Sequence, residues 1–265
     1  PYSIVMTLKN QIDKFISFAN ILADESAKVI MEYFRQNIKI ENKDDDTPVT
    51  NADIKSELKI RELINNTYPN HGILAEEFDN TNLDSEYIWV VDPIDGTRSF
   101  VAGHKDFGTL IGLLYKKKPV LGIINCPAHN ERWIGVENQI TTLNGKNIKT
   151  SSKKSIEDCY TITTGLYLED ETFRNGLENI IKTSKYYILG GDCYMYGMLS
   201  SGFVDIVVED TLKAYDYMAL VPVIQGAGGV ITDKYNNLIT LDSDGSVLAT
   251  ANSLIHNQAI NMINL

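Results

Sequence analysis

The chain has 265 residues, enough for one large domain or two small packed ones with a substantial core, and its 43% hydrophobic and 22% charged residues are ordinary for a soluble globular protein. A net charge of −11 argues against nucleic acid as a direct partner, because a phosphate backbone needs a positive face, and equally against an anionic membrane surface. Cys126, Cys159 and Cys193 are widely spaced with no C-x-x-C, which predicts buried thiols in a reducing, cytoplasmic compartment. No apolar run reaches the length of a membrane span, and residues 1–8 lack the charged start and apolar core of a signal peptide.

In chain order, Leu8, Ile12, Phe15, Ala19, Leu22, Ala23, Ile30 and Phe34 recur at helical spacing and predict a long amphipathic helix over about residues 8–37. Residues 43–48 form a polar loop in which Asp44, Asp45 and Asp46 are solvated surface. A second helix is predicted over 51–67, capped by Thr50 or Asn51, with Asp53 in its first turn, where a carboxylate offsets the helix dipole. Residues 72–75 and 88–91 are apolar strands, and the acidic side chains of Glu76 and Asp92 follow them directly. Adjacent strands that end together would set these two carboxylates side by side. Pro93 cannot extend a central strand, so the second strand is expected to end near Asp92. Gly96 permits a sharp turn, and residues 97–100 can open a helix.

Residues 107–114 and 120–126 predict a hairpin around Lys116-Lys117-Lys118-Pro119, and 131–136 and 139–143 continue an antiparallel run to the Asn144-Gly145 turn. The polar stretch 150–154 is the expected boundary between a part spanning 1–150 and a part spanning 151–265. Strands at 160–164, 186–190 and 204–208 then alternate with helices at 170–184, 193–201 and 216–226. Short strands near Val230 and Val247 precede a last helix at 254–264. Gly226, Gly228 and Gly229 follow a helix rather than open one, so they mark a helix end and not a nucleotide loop. His71, His104, His129 and His256 share no ligand spacing and are expected at the surface or in loops.

The chemistry concentrates at Asp92-Pro93-Ile94-Asp95-Gly96-Thr97. Two carboxylates at a strand tip are hard oxygen ligands of the kind Mg2+ and Mn2+ prefer. A helix N-terminus beside them offers N–H groups to an anion, and a metal with an anion cradle is the minimum equipment of phosphoryl chemistry. Asp216 opens the 216–226 helix, where an N-cap and a ligand are equally good readings. Glu76, Asp92, Asp95 and Asp216 cannot share a small volume unless cations neutralise them. Strand alternation puts Glu77 on the side opposite Glu76.

Asp92-Pro93-Ile94-Asp95-Gly96-Thr97 after a Trp-containing strand resembles the signature of the inositol monophosphatase family of metal-dependent phosphatases. Thr47-Pro48-Val49-Thr50-Asn51-Ala52-Asp53 resembles the family's threonine/aspartate loop. Gly72-Ile73-Leu74-Ala75-Glu76-Glu77 is similar to its acidic strand end, with Ala75 where glycine is usual. Tyr215-Asp216 through Gly226-Ala227-Gly228-Gly229 resembles its C-terminal signature, with Tyr215 in place of tryptophan. These matches come in family order and run from about residue 10 to about residue 255.

The resemblance implies an α+β, α/β chain with the layered αβαβα sandwich of the inositol monophosphatase / fructose bisphosphatase type. It implies two or three Mg2+ ions, or Mn2+, on Glu76, Asp92, the Ile94 carbonyl, Asp95 and Asp216, with Asp92 bridging two of them. The implied reaction is hydrolysis of a small phosphate ester by a metal-activated water, with Asp53, Thr97 and Glu76 as catalytic residues. The N–H groups of Gly96 and Thr97 would hold the phosphate, and Asp216 would also face the substrate. A homodimer, sensitivity to lithium and a lysine near Lys43 are further implications.

Thr97-Arg98-Ser99-Phe100, Phe107-Gly108-Thr109-Leu110-Ile111, Glu131-Arg132-Trp133, Gly191-Asp192-Cys193-Tyr194 and Leu212-Lys213-Ala214-Tyr215-Asp216 look like the histidinol-phosphatase-like branch, although Ala214 stands where that branch usually has proline. Histidinol phosphate carries an ammonium and an imidazole, so its site should offer carboxylates beyond the metal ligands. Asp192 and Glu209 are the candidates, with an N-cap of the 193–201 helix as the competing role for Asp192. Inositol 1-phosphate is the alternative substrate, since a carboxylate also accepts ring hydroxyls. A different class, a protein partner in an RNA or transcription complex, is known in the family; tight, salt-sensitive retardation of RNA in a gel would favour it.

Overall fold

The computed structural model describes residues 2–36, 40–42 and 48–264. Lys43 and Asp44, Asp45 and Asp46 lie outside the described residues. Helix α1 (Tyr2–Tyr33) and helix α2 (Asn51–Thr67) flank a short antiparallel pair, β1 (Ile40–Asn42) and β2 (Pro48–Thr50). Strands β3 (Gly72–Ala75) and β4 (Tyr87–Asp95) and the short helix α3 (Thr97–Val101) come next. They are followed by β5 (Gly108–Tyr115), β6 (Lys118–Cys126), β7 (Glu131–Val136), β8 (Thr142–Leu143) and β9 (Lys146–Asn147). The rest of the chain gives β10 (Tyr160–Thr163), α4 (Glu171–Thr183), β11 (Tyr186–Leu189), α5 (Asp192–Ser200) and β12 (Ile206–Glu209). It closes with α6 (Ala214–Tyr217), α7 (Leu220–Gly226), β13 (Val230–Thr232), β14 (Val247–Thr250) and α8 (Ser253–Ile263).

Strands β3 to β9 pair in chain order into one sheet, parallel only between β3 and β4. The second sheet has the order β11-β10-β12-β14-β13, with β10 parallel to both its neighbours. Alternation along β4 decides the layering. Trp89 and Val91 point to α1 and α2, where they meet Phe15, Phe18, Leu22 and Ile60. Ile88 and Val90 point the other way, into a core shared with Met195 and Leu199 of α5 and Val223 and Ile224 of α7. That core reaches Val207 and Ala249 of the second sheet. The far face of the second sheet, Ile206, Val208 and Leu248, is covered by Phe173 and Leu177 of α4 and Ile255 and Ala259 of α8. The result is an α–β–α–β–α sandwich.

One close approach fixes the middle layer. Gly112, Gly122 and Gly135 lie in register across β5, β6 and β7. A Cβ on Gly122 would sit 1.9 Å from the Ala219 carbonyl oxygen, and one on Gly135 2.3 Å from the Val223 Cα. The bare strip lets the α6–α7 segment lie directly on the first sheet, which brings Asp216 over it.

Several boundaries depart from the sequence-based expectation. α1 ends at Tyr33 rather than near 37 because Arg35 turns left-handed (φ 59°) and its guanidinium donates to the Gly103 carbonyl. β4 runs past Asp92 to Asp95, since a register shift between these residues leaves Pro93 without a ladder bond to supply. The 139–143 strand shrinks to β8 because Gln139 turns back to the Val136 carbonyl and the Thr141 N–H donates to Gly226. The 216–226 helix is two helices beginning at Ala214, and α5 begins at Asp192. His256 corrects the expectation of a surface histidine: it is 2% exposed, with its two ring nitrogens 2.9 and 3.0 Å from the hydroxyls of Thr232 and Thr250. His71 is likewise packed, stacked on Tyr68 and accepting from Trp89 Nε1. Cys126, Cys159 and Cys193 are free and buried, as their spacing predicts. Among the described residues no helix is long and apolar enough to cross a membrane.

Candidate active site

The parallel pairing of β3 with β4 sets Ala75 opposite Val91, so the next residues, Glu76 and Asp92, emerge together. Asp92 is 2% exposed, and its Oδ1 accepts the Ile94 N–H at 2.9 Å. That short bond folds the bulge and points Asp95 into the same cleft. Gly96 (φ 83°) then reverses the chain into α3. A Cβ there would meet the Asp192 carboxylate carbon at 2.7 Å, so only glycine leaves room.

Asp216 arrives from the other side. It is the third residue of α6, and its Oδ2 accepts the Lys213 N–H at 2.7 Å. The N-cap position itself belongs to Lys213, so Asp216 keeps a capping contact while it also lines the cleft. One oxygen from each of Asp92, Asp95 and Asp216 lies within 4.8 Å of the other two. Glu76 lines the same cleft, which measures about 560 Å³ and is also bordered by Ile94, Gly96, Thr97 and Arg98.

The electrostatics match the geometry. Burial, followed by the charges of its neighbours Glu76, Asp95 and Asp216, holds the Asp92 carboxyl well above the ordinary range. Burial does the same to Asp95, with Asp192 and Asp216 adding to it. Asp216 is pushed up to about 7, chiefly by burial. The donors are all hard oxygens crowded beyond what water alone would neutralise, so the residues fit Mg2+ or Mn2+ and not a thiophilic ion.

Thr97 Oγ1 lies 3.2 Å from Asp53 Oδ1 and 3.0 Å from the Ile94 carbonyl, two acceptors that share its single proton. Asp53 is fully buried, and its other oxygen takes the Thr50 N–H and hydroxyl at 2.8 and 2.6 Å. Thr50 is therefore the cap of α2, and Asp53 is tied at both oxygens. Burial raises its carboxyl, and the Thr50 hydrogen bonds partly oppose that.

Glu209 also faces the cleft, where Tyr196 donates to its Oε2 at 2.7 Å and Thr164 donates to its Oε1. Burial pushes it up to about 7. Asp192 is not an N-cap: Gly191 holds that position, and Asp192 is the first helical residue with a left-handed φ of 41°. Its Oδ2 accepts from Ser99 on α3, and the next N–H, from Cys193, donates to Asp95. Thr164, Tyr196, Ser99 and Arg98 border the site without a role predicted from sequence. Only Arg98 and Ser99, which directly follow the turn motif, carried a local signal.

Five layers around a cleft of clustered carboxylates define a class, the metal-dependent phosphatases of the layered α/β type. The sequence model of the Inositol monophosphatase family matches residues 11–264, and the chain belongs to that family. It is 43% identical over 259 residues to the bifunctional phosphatase IMPL2, chloroplastic, of Arabidopsis thaliana, covering 94% of this chain and 75% of the relative. It is 31% identical over 230 residues to a histidinol-phosphatase of Chlorobaculum parvum, covering 86% and 89%. The solved structure of an inositol monophosphatase from Zymomonas mobilis superposes with a TM-score of 0.87 at 40% identity, covering 96% and 98%. The protein is thus a metal-dependent phosphatase, of a family that typically uses Mg2+.

Proposed function

We propose that the protein hydrolyses histidinol phosphate at this cleft, with Glu76, Asp92, the Ile94 carbonyl, Asp95 and Asp216 holding two or three Mg2+ ions. The observation that carries the site is the convergence of three carboxylate oxygens within 4.8 Å beside the Thr97–Asp53 pair. The ions, when bound, supply Lewis acidity and water activation. Thr97 Oγ1 takes up the proton of the attacking water as it passes its own toward Asp53, whose burial makes it a better acceptor than an exposed aspartate. The Gly96 and Thr97 N–H groups orient the phosphate. Cys126, Cys159 and Cys193, all thiols, suit a reducing cytoplasmic setting.

Glu209 carries the choice of substrate. It is a carboxylate outside the ligand set, anchored by two hydroxyls in the same cleft, and so placed to receive an ammonium. Asp192, whose Oδ2 accepts from Ser99 on α3, is the second candidate for that contact. Phosphate release with Mg2+ from histidinol phosphate, inositol 1-phosphate, fructose 1,6-bisphosphate and a nucleotide 3′-phosphate tests the reading. Histidinol phosphate is expected to dominate. Glu209→Gln should raise its KM by about tenfold, the loss of one charge-assisted contact. Because Glu209 titrates near 7 in the fold and is neutral below that, KM for this substrate should also rise as pH falls through 7, and the variant should lack that rise. A dominant rate on inositol 1-phosphate would establish the second reading, which the name of the Zymomonas relative favours. In that case Glu209 accepts ring hydroxyls.

A homodimer is the proposed assembly. β11 is an unpaired sheet edge whose Tyr186, Tyr187, Ile188 and Leu189 are each more than half exposed, with none of the charges that protect such an edge. Sedimentation velocity should show a species of twice the chain mass, and a monomer at micromolar concentration would overturn the assignment.

A further inference from the structure

Helix α2 buries polar groups where an amphipathic helix would bury only apolar ones. Asp53, Ser56 and Glu57 are each fully buried and follow the i, i+3, i+4 spacing of one helical face, which Ile60 and Ile64 continue. Asp53 holds Thr97, as described above. The other two play no part in the chemistry, yet each ends on a different segment of the active site.

Glu57 Oε2 accepts the Glu77 N–H at 2.6 Å, and its Oε1 accepts the Phe78 N–H at 3.2 Å. These are the two amides immediately after Glu76. Arg61, one turn further along α2, donates its Nε to Glu57 Oε1 at 2.7 Å and its Nη2 to the Phe78 carbonyl at 2.9 Å, so the turn is gripped at both donor and acceptor. Ser56 acts through a buried hydroxyl chain. Its Oγ lies 2.8 Å from Ser26 Oγ, which lies 2.9 Å from Thr109 Oγ1, and Thr109 donates to the Pro93 carbonyl at 2.9 Å. Pro93 is the bulge residue between Asp92 and Ile94. One helical face therefore reaches the Glu76 turn, the Asp92–Asp95 bulge and the Thr97 helix.

We propose that Ser56 and Glu57 are positioning residues, through which α2 sets the spacing of the segments that carry the acidic ligands. The physical reason is that mutually repelling carboxylates spread apart unless their backbones are fixed, and a buried carboxylate accepting backbone N–H groups is a stiff anchor. An apolar face at these positions would pack as well and leave the turns free, so packing does not explain the polar choice. The inference rests on the ligand assignment made above.

Calorimetric titration of the metal-free full chain with Mg2+ or Mn2+ tests it, alongside the Mg2+ concentration giving half-maximal rate. Glu57→Gln keeps the volume and loses the charge; it should weaken metal binding by about tenfold, the usual cost of losing a partner that orients a ligand. Arg61→Met, at the partly exposed end of the clamp, should weaken it about threefold, within the same order, and carries the test should Glu57→Gln fail to fold. Glu76→Gln serves as the control. Binding within twofold of native in the folded Glu57 or Arg61 variant, with binding lost in Glu76→Gln, would overturn the proposal alone. Native binding in Glu76→Gln as well would overturn the ligand assignment with it.

Discussion

Asp95→Asn is expected to abolish phosphate release while leaving the fold intact. Asparagine is isosteric with aspartate, and its amide oxygen can still accept the Cys193 N–H that Asp95 Oδ2 accepts now. The sheet around it does not depend on the charge, because Asp95 pairs with Gly108 through the backbone. What the substitution removes is one of three anionic oxygens converging within 4.8 Å. A neutral amide is a much poorer ligand for a hard divalent cation, and the phosphoryl transition state loses the stabilisation that the cation provides. The expected loss in kcat/KM is at least about a thousandfold, or ~4 kcal/mol of barrier. Deleting one of several repelling buried charges should also leave the melting temperature of the metal-free protein equal to or above native. Retained turnover would remove Asp95 from the ligand set. Lost turnover with a collapsed melting temperature would mean that its role is structural.

The parts of this site legible in the sequence are those that one strand or one turn dictates. Two apolar runs ending in Glu76 and Asp92 announce two carboxylates that emerge together, and the parallel register delivers them that way. Pro93 and Gly96 announce an interrupted strand and a reversal. The proline shifts the register and lets the strand continue to Asp95, because the missing N–H falls where no ladder bond is made. How the candidates Asp216 and Glu209 are placed was not legible, because it depends on contacts between residues far apart in the chain. Asp216 reaches the cleft because Gly112, Gly122 and Gly135 align across three strands, and no local pattern reveals that alignment. Glu209 is held by Thr164 from another strand and Tyr196 from a helix.

Asp192 shows the limit most plainly. Its position before a helix reads as a cap, yet the glycine before it takes that place, and Asp192 turns left-handed to meet Ser99. The buried stripe of α2 lies between these cases. Asp53, Ser56 and Glu57 share a helical face with Ile60 and Ile64, and polar residues on an inward face are a signal that periodicity alone can expose. What periodicity withholds is the destination of each side chain, which is set by Glu77 and Phe78 in one case and by Ser26 in the other.

Metal removal should destabilise the protein, and more at alkaline than at acid pH. Asp92 and Asp95 sit well above their ordinary range and Asp216 near 7 when no cation is present. A carboxyl whose folded value exceeds its unfolded value of about 4 binds more protons in the fold, so metal-free stability falls as pH rises from about 4, through about 7 for Asp216. Mg2+ held by the proposed ligands would replace those protons as the neutralising charge, so its stabilising effect should grow as pH rises. At about a hundred times its dissociation constant Mg2+ would contribute ~2.7 kcal/mol, worth roughly 5–10 °C of melting temperature for a chain of this size. His256 acts in the opposite sense. Burial lowers its folded value to about 4, so it costs stability as pH falls below about 6.5. That contribution is common to the metal-free and metal-loaded protein and cancels in their difference. The measurement is therefore the melting temperature with Mg2+ minus that with chelator, at pH 6 and at pH 8. A larger difference at pH 8 is expected. An equal or smaller one would mean that the three carboxylates do not meet the cation together.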